Sequence, residues 1–351
     1  MTEPIGPVSA LPARASLEHL KKTAKRLHRE MLRENAAAPL SAAQTEIARR
    51  YGFANWRLLK AYVLALATHG PDLVLAVQNG DAEKVSALLA THPGLVNAPV
   101  DLDPHVLRPS DARAMRLLHL AVAADQREIL KLLIERGANM NARNADGRKP
   151  LHDCFELGRD DLAQILLGAG AEPDVCLAAA WGMHAQLTEL LKHDPDQAND
   201  LETGMSPLGW CAYGGDQSSS AEILFGHGAV VDRAPFDWAA WGPATHVANT
   251  AVARVFLAHG ADPNARSQVG GDTPLHRVIT SRLVEDPSDF VAMLLSAGAD
   301  PSIANDAGQT PLDEALAQQV AKVETYFPAR PVRGKQVERT IALLRSATAL
   351  H

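Results

Sequence analysis

The sequence predicts an all-α repeat architecture: about eight helix pairs with short β-hairpin fingers, behind a small N-terminal three-helix segment. Three observations predict it. A segment of fixed order recurs along the chain, in which a Pro-Leu-His-like start leads through two helical stretches to a glycine-rich stop. The step from His119 to His152 is 33 residues, a period that marks stacked supersecondary units. Residues 1–69 also differ in charge from the rest, with 11 Lys/Arg against 5 Asp/Glu, whereas 70–351 holds 23 against 36.

The clearest copies are Arg148-Lys-Pro-Leu-His152, Leu117-Leu-His119 and Thr273-Pro-Leu-His276, with Thr310-Pro-Leu-Asp313 and Ser206-Pro-Leu-Gly209 as variants. Each start leads to a stop such as Gly137-Ala-Asn, Gly168-Ala-Gly-Ala171 or Gly298-Ala-Asp300. Proline suits the first helical turn, where its missing N–H has no partner to lose. Leu132/Leu133, Leu166/Leu167, Leu190/Leu191 and Leu294/Leu295 supply the apolar stripe of a second helix. Gly137, Gly170, Gly228, Gly260 and Gly298 suit left-handed helix ends. These segments resemble the ankyrin repeat, and the resemblance covers roughly residues 70–351. It places repeat anchors at Val74, His119, His152, Leu177, Gly209, Asp237, His276 and Asp313, a mean step of about 32 from His119 onward. It implies a solenoid stabilised by stacking neighbours, with the anchor histidine bonded to neighbouring backbone rather than to a metal. Cys154 and Cys211, two places after an anchor, read as small buried side chains.

The middle copies depart from the pattern. The fingers expected of the resemblance are kept at Asn144-Ala-Asp-Gly147 and Asn305-Asp-Ala-Gly308, but Asp174–Leu177 and Asp232–Asp237 leave almost no room for one. Four of the five tryptophans lie between 181 and 241. Ala-Trp181-Gly, Ala-Tyr213-Gly and Ala-Trp241-Gly put a ring four places after each anchor, and Trp210 and Trp238 sit one place after. At about 100° per residue those places share one side of a helix. The stripe is therefore expected opposite the packing face, on the concave surface, as a partner-binding patch joined by Asp237, Asp216 and His246. Two insertions, 99–115 and 326–336, are expected as surface loops.

The front divides into a flexible leader, 1–15, and a basic helical domain, 16–69, ahead of the repeats at 70–351. Residues 16–34 read as a helix with Ser16 as N-cap and a Leu20, Ala24, Leu27, Met31 stripe. A second helix is expected from Ser41, with Gln44 completing a capping box, to Tyr51; a third covers about 54–67. Ile47, Ala48, Tyr51, Gly52, Phe53 and Leu58 fall where a helix-turn-helix keeps its apolar and turn residues. The segment Ile47-Ala-Arg-Arg-Tyr-Gly-Phe-Ala-Asn-Trp56 also resembles a leader found before ankyrin repeats in bacterial proteins. Two uses compete: a cap for the first repeat, or a DNA or RNA contact through Lys21, Lys22, Lys25, Arg26, Arg29, Arg57 and Lys60.

Function follows from these pieces as an expectation. Three scattered cysteines, Cys154, Cys176 and Cys211, point to a reducing, cytoplasmic setting. The opening residues lack an apolar signal core, and no run of 18 apolar residues occurs, so no spanning helix is expected. No phosphate loop, nucleophile–base spacing or metal set is visible, and no cofactor is expected. The leading reading is a monomeric, non-catalytic scaffold that binds a protein partner. The alternatives are a nucleic-acid-binding regulator, and a small-molecule binder or enzyme in the aromatic notch using Asp237, Asp216, His246 or Cys211.

Overall fold

Eighteen α-helices, two short 3-10 helices and one two-stranded ladder lie in the described part of the chain, residues 16–35, 37–100, 115–231, 241–281, 284, 286–320 and 334–349 of a computed structural model. Contacts divide the chain into two compact units, 1–172 and 173–351.

The first unit opens on α1 (Leu17–Glu34), α2 (Leu40–Arg50) and α3 (Trp56–Gln78). Ser16 caps α1 as expected, its hydroxyl accepting from the His19 N–H at 3.1 Å. Asn55 caps α3 in the same way, accepting from the Leu58 N–H at 3.0 Å. Leu20, Ala24, Ile47, Ala48, Leu59 and Val63 form the small core, with Tyr51, Phe53 and Trp56 packed against it. Two expectations need correction. The second helix starts at Leu40 behind Pro39 without a side-chain cap, so Ser41 and Gln44 form no capping box. Leu58 is 46% exposed, and the next residue, Leu59, fills the core place instead.

The third helix is longer than predicted. It runs on from 67 to Gln78 through Pro71, so no linker separates the front helices from the first repeat. Among the described residues it is the one helix long and apolar enough to cross a membrane, by length and composition alone. Here it serves as a packing helix against α2, α4 (Ala82–Thr91) and α5 (Leu117–Ala123), with Leu59, Val63, Leu73, Ala76 and Val77 buried.

The repeats of this unit pair α3 with α4 (Ala82–Thr91), α5 (Leu117–Ala123) with α6 (Arg127–Glu135), and α7 (Pro150–Glu156) with α8 (Asp160–Gly168). The first members stack on one another and so do the second. In the second unit the pairs are α9 (Val175–Ala180) with α10 (His184–His193), α11 (Pro207–Tyr213) with α12 (Ser218–Gly226), α13 (Trp241–His246) with α14 (Thr250–Ala258), α15 (Pro274–Thr280) with α16 (Ser288–Ser296), and α17 (Pro311–Val320) with α18 (Gly334–Thr348). Leu133, Leu166, Leu191 and Leu294, one from each predicted leucine pair, are fully buried. The five predicted closing glycines all have φ between 80° and 96°.

The fingers at 144–148 and 305–309 close as predicted. Asn144 N–H donates to the Arg148 carbonyl at 2.8 Å and Asn305 N–H to the Gln309 carbonyl at 2.9 Å. At 174 the finger is missing: Asp174 passes straight into α9 as its N-cap, accepting from the Leu177 N–H at 3.2 Å. The second expected gap, 232–237, lies outside the described residues, as do 101–114 and 326–333 of the insertions. The first insertion springs from an antiparallel ladder, Pro99–Val100 against Met115–Arg116, and residues 334–336 open α18 rather than a loop.

Two of the anchor histidines, His119 and His276, tie their copy to the next. His119 Nδ1 accepts from the Arg116 N–H at 3.3 Å, which leaves Nε2–H to donate to the Arg148 carbonyl at 2.9 Å. His276 repeats this, accepting from Thr273 N–H at 3.2 Å and reaching the Gln309 carbonyl at 2.9 Å. A neutral ring is required for both bonds, and burial holds the His119 pKa at about 4, below its ordinary 6.5. Stability from this site is complete above pH 6.5. It declines as pH falls toward 4, because the unfolded chain takes up a proton that the folded one refuses. The full loss is about 3 kcal/mol. Urea unfolding between pH 8 and pH 4 is expected to show it, and His119→Gln to flatten the slope; equal slopes for the two proteins would contradict this account.

A second set of ties was not predicted. Asn97 donates to the Gly137 carbonyl at 3.2 Å and accepts from Asn139 N–H at 2.7 Å. Asn199 does the same with Gly228 and Val230, and Asn264 with Gly298 and Asp300. Each amide thus closes the helix end of the following copy. The Asn-Ala pairs at 97 and 264 were the available signal, which Asn199-Asp200 lacks.

Candidate functional site

Helix α11 sits between α9 and α13 and is covered by α12, so a seven-residue helix has almost no free side. Pro207 through Ala212 are all buried, and only Tyr213, at the C-terminal end, is 39% exposed. Trp210 is therefore core, not surface: its ring is fully buried and Nε1–H donates to Thr203 Oγ1 at 3.0 Å. Thr203 is buried too and passes its own proton to the Met205 carbonyl at 3.1 Å. Cys176 Sγ lies 3.7 Å from the same hydroxyl. The indole thus fastens the loop that precedes its helix. Contrary to the two-sided wheel expected from the sequence, the inner helix has no side turned to solvent along Pro207–Ala212. Leu120, also one place after its anchor and 2% exposed, carried the contrary signal.

The expected matching of the three aromatic copies fails as well. The turn after each inner helix fixes register: Gln126 N–H donates to the Ala121 carbonyl, Arg159 to Cys154, and Asn249 to Ala244. The first two acceptors lie two places after His119 and His152, so the sixth anchor is Gly242 rather than Asp237. Trp241 then precedes its anchor and opens α13, whereas Tyr213 ends α11. By the same rule Met183 N–H, bonded to the Ala178 carbonyl, sets the fourth anchor at Cys176, one residue before Leu177. Trp181 caps α9 from a half-buried position. Among the described rings, buried Trp210 does not share a surface stripe with Trp181 and Tyr213.

What the structure brings to the surface is narrower. Tyr213 and Asp216 are exposed at the end of α11, and the Asp216 carboxylate accepts from Ser218 N–H and Oγ–H at 3.4 and 2.9 Å. Trp181 ends the neighbouring inner helix, α9. Trp238 and Asp237 fall outside the described residues, as do the side chains of Trp241 and His246. Cys211 is unsuited to the nucleophilic role, since complete burial pushes its thiol pKa far up. Burial, reinforced by the nearby Asp153, likewise pushes the Cys154 thiol up to about 12.

On the front helices, Lys21, Lys22, Lys25, Arg26, Arg29, Arg57 and Lys60 are all exposed. Among them Lys22 is paired, with Glu18 at 2.8 Å. Trp56 packs in the three-helix core instead of standing as a reader.

Comparison with known proteins fits this geometry. Residues 73–176 match the family model for ankyrin repeats in three copies. An ADP-ribosylation factor GTPase-activating protein of Arabidopsis thaliana, AGD4, is 42% identical over 59 residues, 17% of this chain and 8% of that protein. Ankyrin repeat and SOCS box protein 16 of Mus musculus is 28% identical over 221 residues, 60% of this chain and 42% of that protein. The chain spans less than half the length of these curated relatives. The crystal structure of the human ASB11 ankyrin repeat domain is similar at 18% identity, covering 78% of this chain and 96% of that one, with a TM-score of 0.38. With the family model matched over 73–176 and the same helix-pair geometry in the flanking copies, the chain carries ankyrin repeats and has the ankyrin-repeat fold.

Proposed function

We propose that this protein is a non-catalytic, cytoplasmic scaffold that binds a protein partner through its middle repeats, at the surface around Tyr213, Trp181 and Asp216. One observation carries the reading: in a helix whose other six residues are buried, the seventh is a large ring left 39% exposed. Tyrosine in such a place supplies amphipathic contact area at small entropic cost, which is why it recurs in binding hot spots. The three buried cysteines, in no disulfide among the described residues, suit a reducing compartment. Tyr213→Ala combined with Asp216→Ala is expected to weaken partner binding at least tenfold while changing stability by only about 0.5 kcal/mol. Affinity capture with each protein as bait, followed by titration of the captured partner, checks this. Equal affinity of the two baits would sink the patch.

A second reading is favoured by the exposure of all seven predicted basic residues on the front helices. Contact with nucleic-acid phosphates through them is expected to give duplex binding that falls steeply between 50 and 200 mM salt. Replacing Lys21, Lys25 and Arg29 by Gln is expected to lower that slope. A duplex shift with no salt dependence, or none at all, removes this reading.

A further inference from the structure

Helix α3 leaves one side without cover. Arg57, Ala61, Leu64, Thr68, Pro71 and Leu75 follow at steps of three or four residues, which sets them in one line along the helix, and all six are exposed. The line runs for about 27 Å. The packed side carries Leu59, Val63, Leu73, Ala76 and Val77. Leu64 and Leu75 are 48% and 50% exposed, and only 17% of the apolar 18-residue stretch of this helix is buried. A single exposed leucine is ordinary, but an apolar line along a whole helix marks a contact surface. The line contains no carboxylate. Arg57 opens it and Lys60 stands one turn before Leu64; both are exposed, and neither has an ion pair among the described residues. Asp72, at its edge, is held by Lys84 at 3.4 Å.

We propose that this face of α3 lies on an anionic lipid bilayer, with Leu64 and Leu75 at the acyl boundary and Arg57 and Lys60 on headgroup phosphates. Three features select that occupant. Leucines on one face with bases beside them at headgroup level are the pattern of a helix that lies in a bilayer interface. Protein anchors are drawn mostly from Trp, Tyr and Arg, with leucine under-represented, and Ala61, Leu64, Thr68 and Pro71 include none of those three. Duplex nucleic acid would use Arg57 and Lys60 but has no place for the two leucines. The charge of the segment has the matching sign, since residues 16–69 carry 10 Lys/Arg against 4 Asp/Glu. The helix lies on the bilayer and does not cross it, because Leu59, Val63, Leu73 and Val77 are already engaged in packing. This surface is separate from the Tyr213 site and does not rest on it.

The test uses the full chain and two kinds of vesicle, phosphatidylcholine alone and an equal mixture with phosphatidylglycerol. The chain is expected to float with the mixed vesicles and to bind the neutral ones about tenfold more weakly. Leu64→Asp with Leu75→Asp, and separately Thr68→Glu, are each expected to weaken binding to the mixed vesicles about tenfold. Thr68→Glu removes no packed side chain, so it carries the comparison if the double variant loses helicity in circular dichroism. Tyr213→Ala is expected to bind as the wild type does. Location is read with a polarity-sensitive dye on Thr68→Cys, the three native cysteines being buried. Its emission is expected to shift to the blue on the mixed vesicles, and the same dye on Glu189→Cys, on the outer helix α10, to stay unchanged. Failure to float, equal flotation with both kinds of vesicle, wild-type binding by Thr68→Glu, or equal dye shifts at 68 and 189 overturns the proposal. Release from the vesicles by random-sequence duplex DNA overturns it as well, by giving Arg57 and Lys60 to nucleic acid.

Discussion

Trp210→Ala is expected to destabilise the protein by about 3–5 kcal/mol, the range for removing a fully buried large aromatic ring. The ring has no exposed surface, and its Nε1–H holds the buried hydroxyl of Thr203. Truncation therefore leaves a cavity and removes one bond to the Thr203 hydroxyl, which keeps its own bond to the Met205 carbonyl. Trp210→Phe keeps most of the volume and loses the bond, so it is expected to fall between Trp210→Ala and the wild type. Because repeat arrays can unfold in parts, the loss is best read by hydrogen exchange on α9, α11 and α13 alongside the overall melt. Melting of Trp210→Ala at the wild-type Tm would return the ring to the surface.

Gly214→Val is expected to cost about 3 kcal/mol or more, beyond ordinary overpacking, because the obstacle is backbone. A Cβ at Gly214 would sit 2.8 Å from the Ala180 carbonyl carbon and 2.9 Å from Ala180 Cα, and nearer still to its oxygen. The backbone there has φ of −74°, so the glycine is needed for close approach of α9 and α11 and not for a left-handed turn. Gly226, at the end of α12, provides the contrast: nothing lies within 4 Å of its added Cβ. Gly226→Ala is expected to be neutral or stabilising, since alanine is the better helix former. Similar urea midpoints for Gly214→Val and Gly226→Ala would show that α9 and α11 do not meet as described.

The two variants mark where the sequence could and could not be read. Features governed by local backbone chemistry were legible: the Ser16 cap, the closing glycines, the anchor histidines and the fingers at 144 and 305 all follow from residue type and spacing. Facing direction was not, because it depends on how many neighbours cover a short helix. Six of the seven residues of α11 are enclosed on all sides, so a two-sided wheel gave Trp210 a solvent face that does not exist. Register failed for a different reason. Trp-Gly and Tyr-Gly look alike in sequence, but only the turn bonds at Met183 and Asn249 show that Trp181 ends one helix and Trp241 begins another. The third helix was expected to end near 67, whereas it continues to Gln78 with Pro71 carried inside a helix packed from several sides. Of the predicted patch, Tyr213, Asp216 and part of Trp181 are surface residues; of the predicted basic set, every member is.

The central claim is that a protein partner meets the ring at Tyr213. The direct measurement replaces Tyr213 with a photo-crosslinking phenylalanine analogue, irradiates the full chain in an extract of its own cells, and resolves the adducts by mass spectrometry. The same analogue at Glu189, an exposed position on the outer helix α10, serves as the reference. A discrete protein adduct from position 213, absent from position 189 and competed by unlabelled wild type, is the predicted result. An adduct pattern identical at the two positions, or none at 213, would contradict the claim.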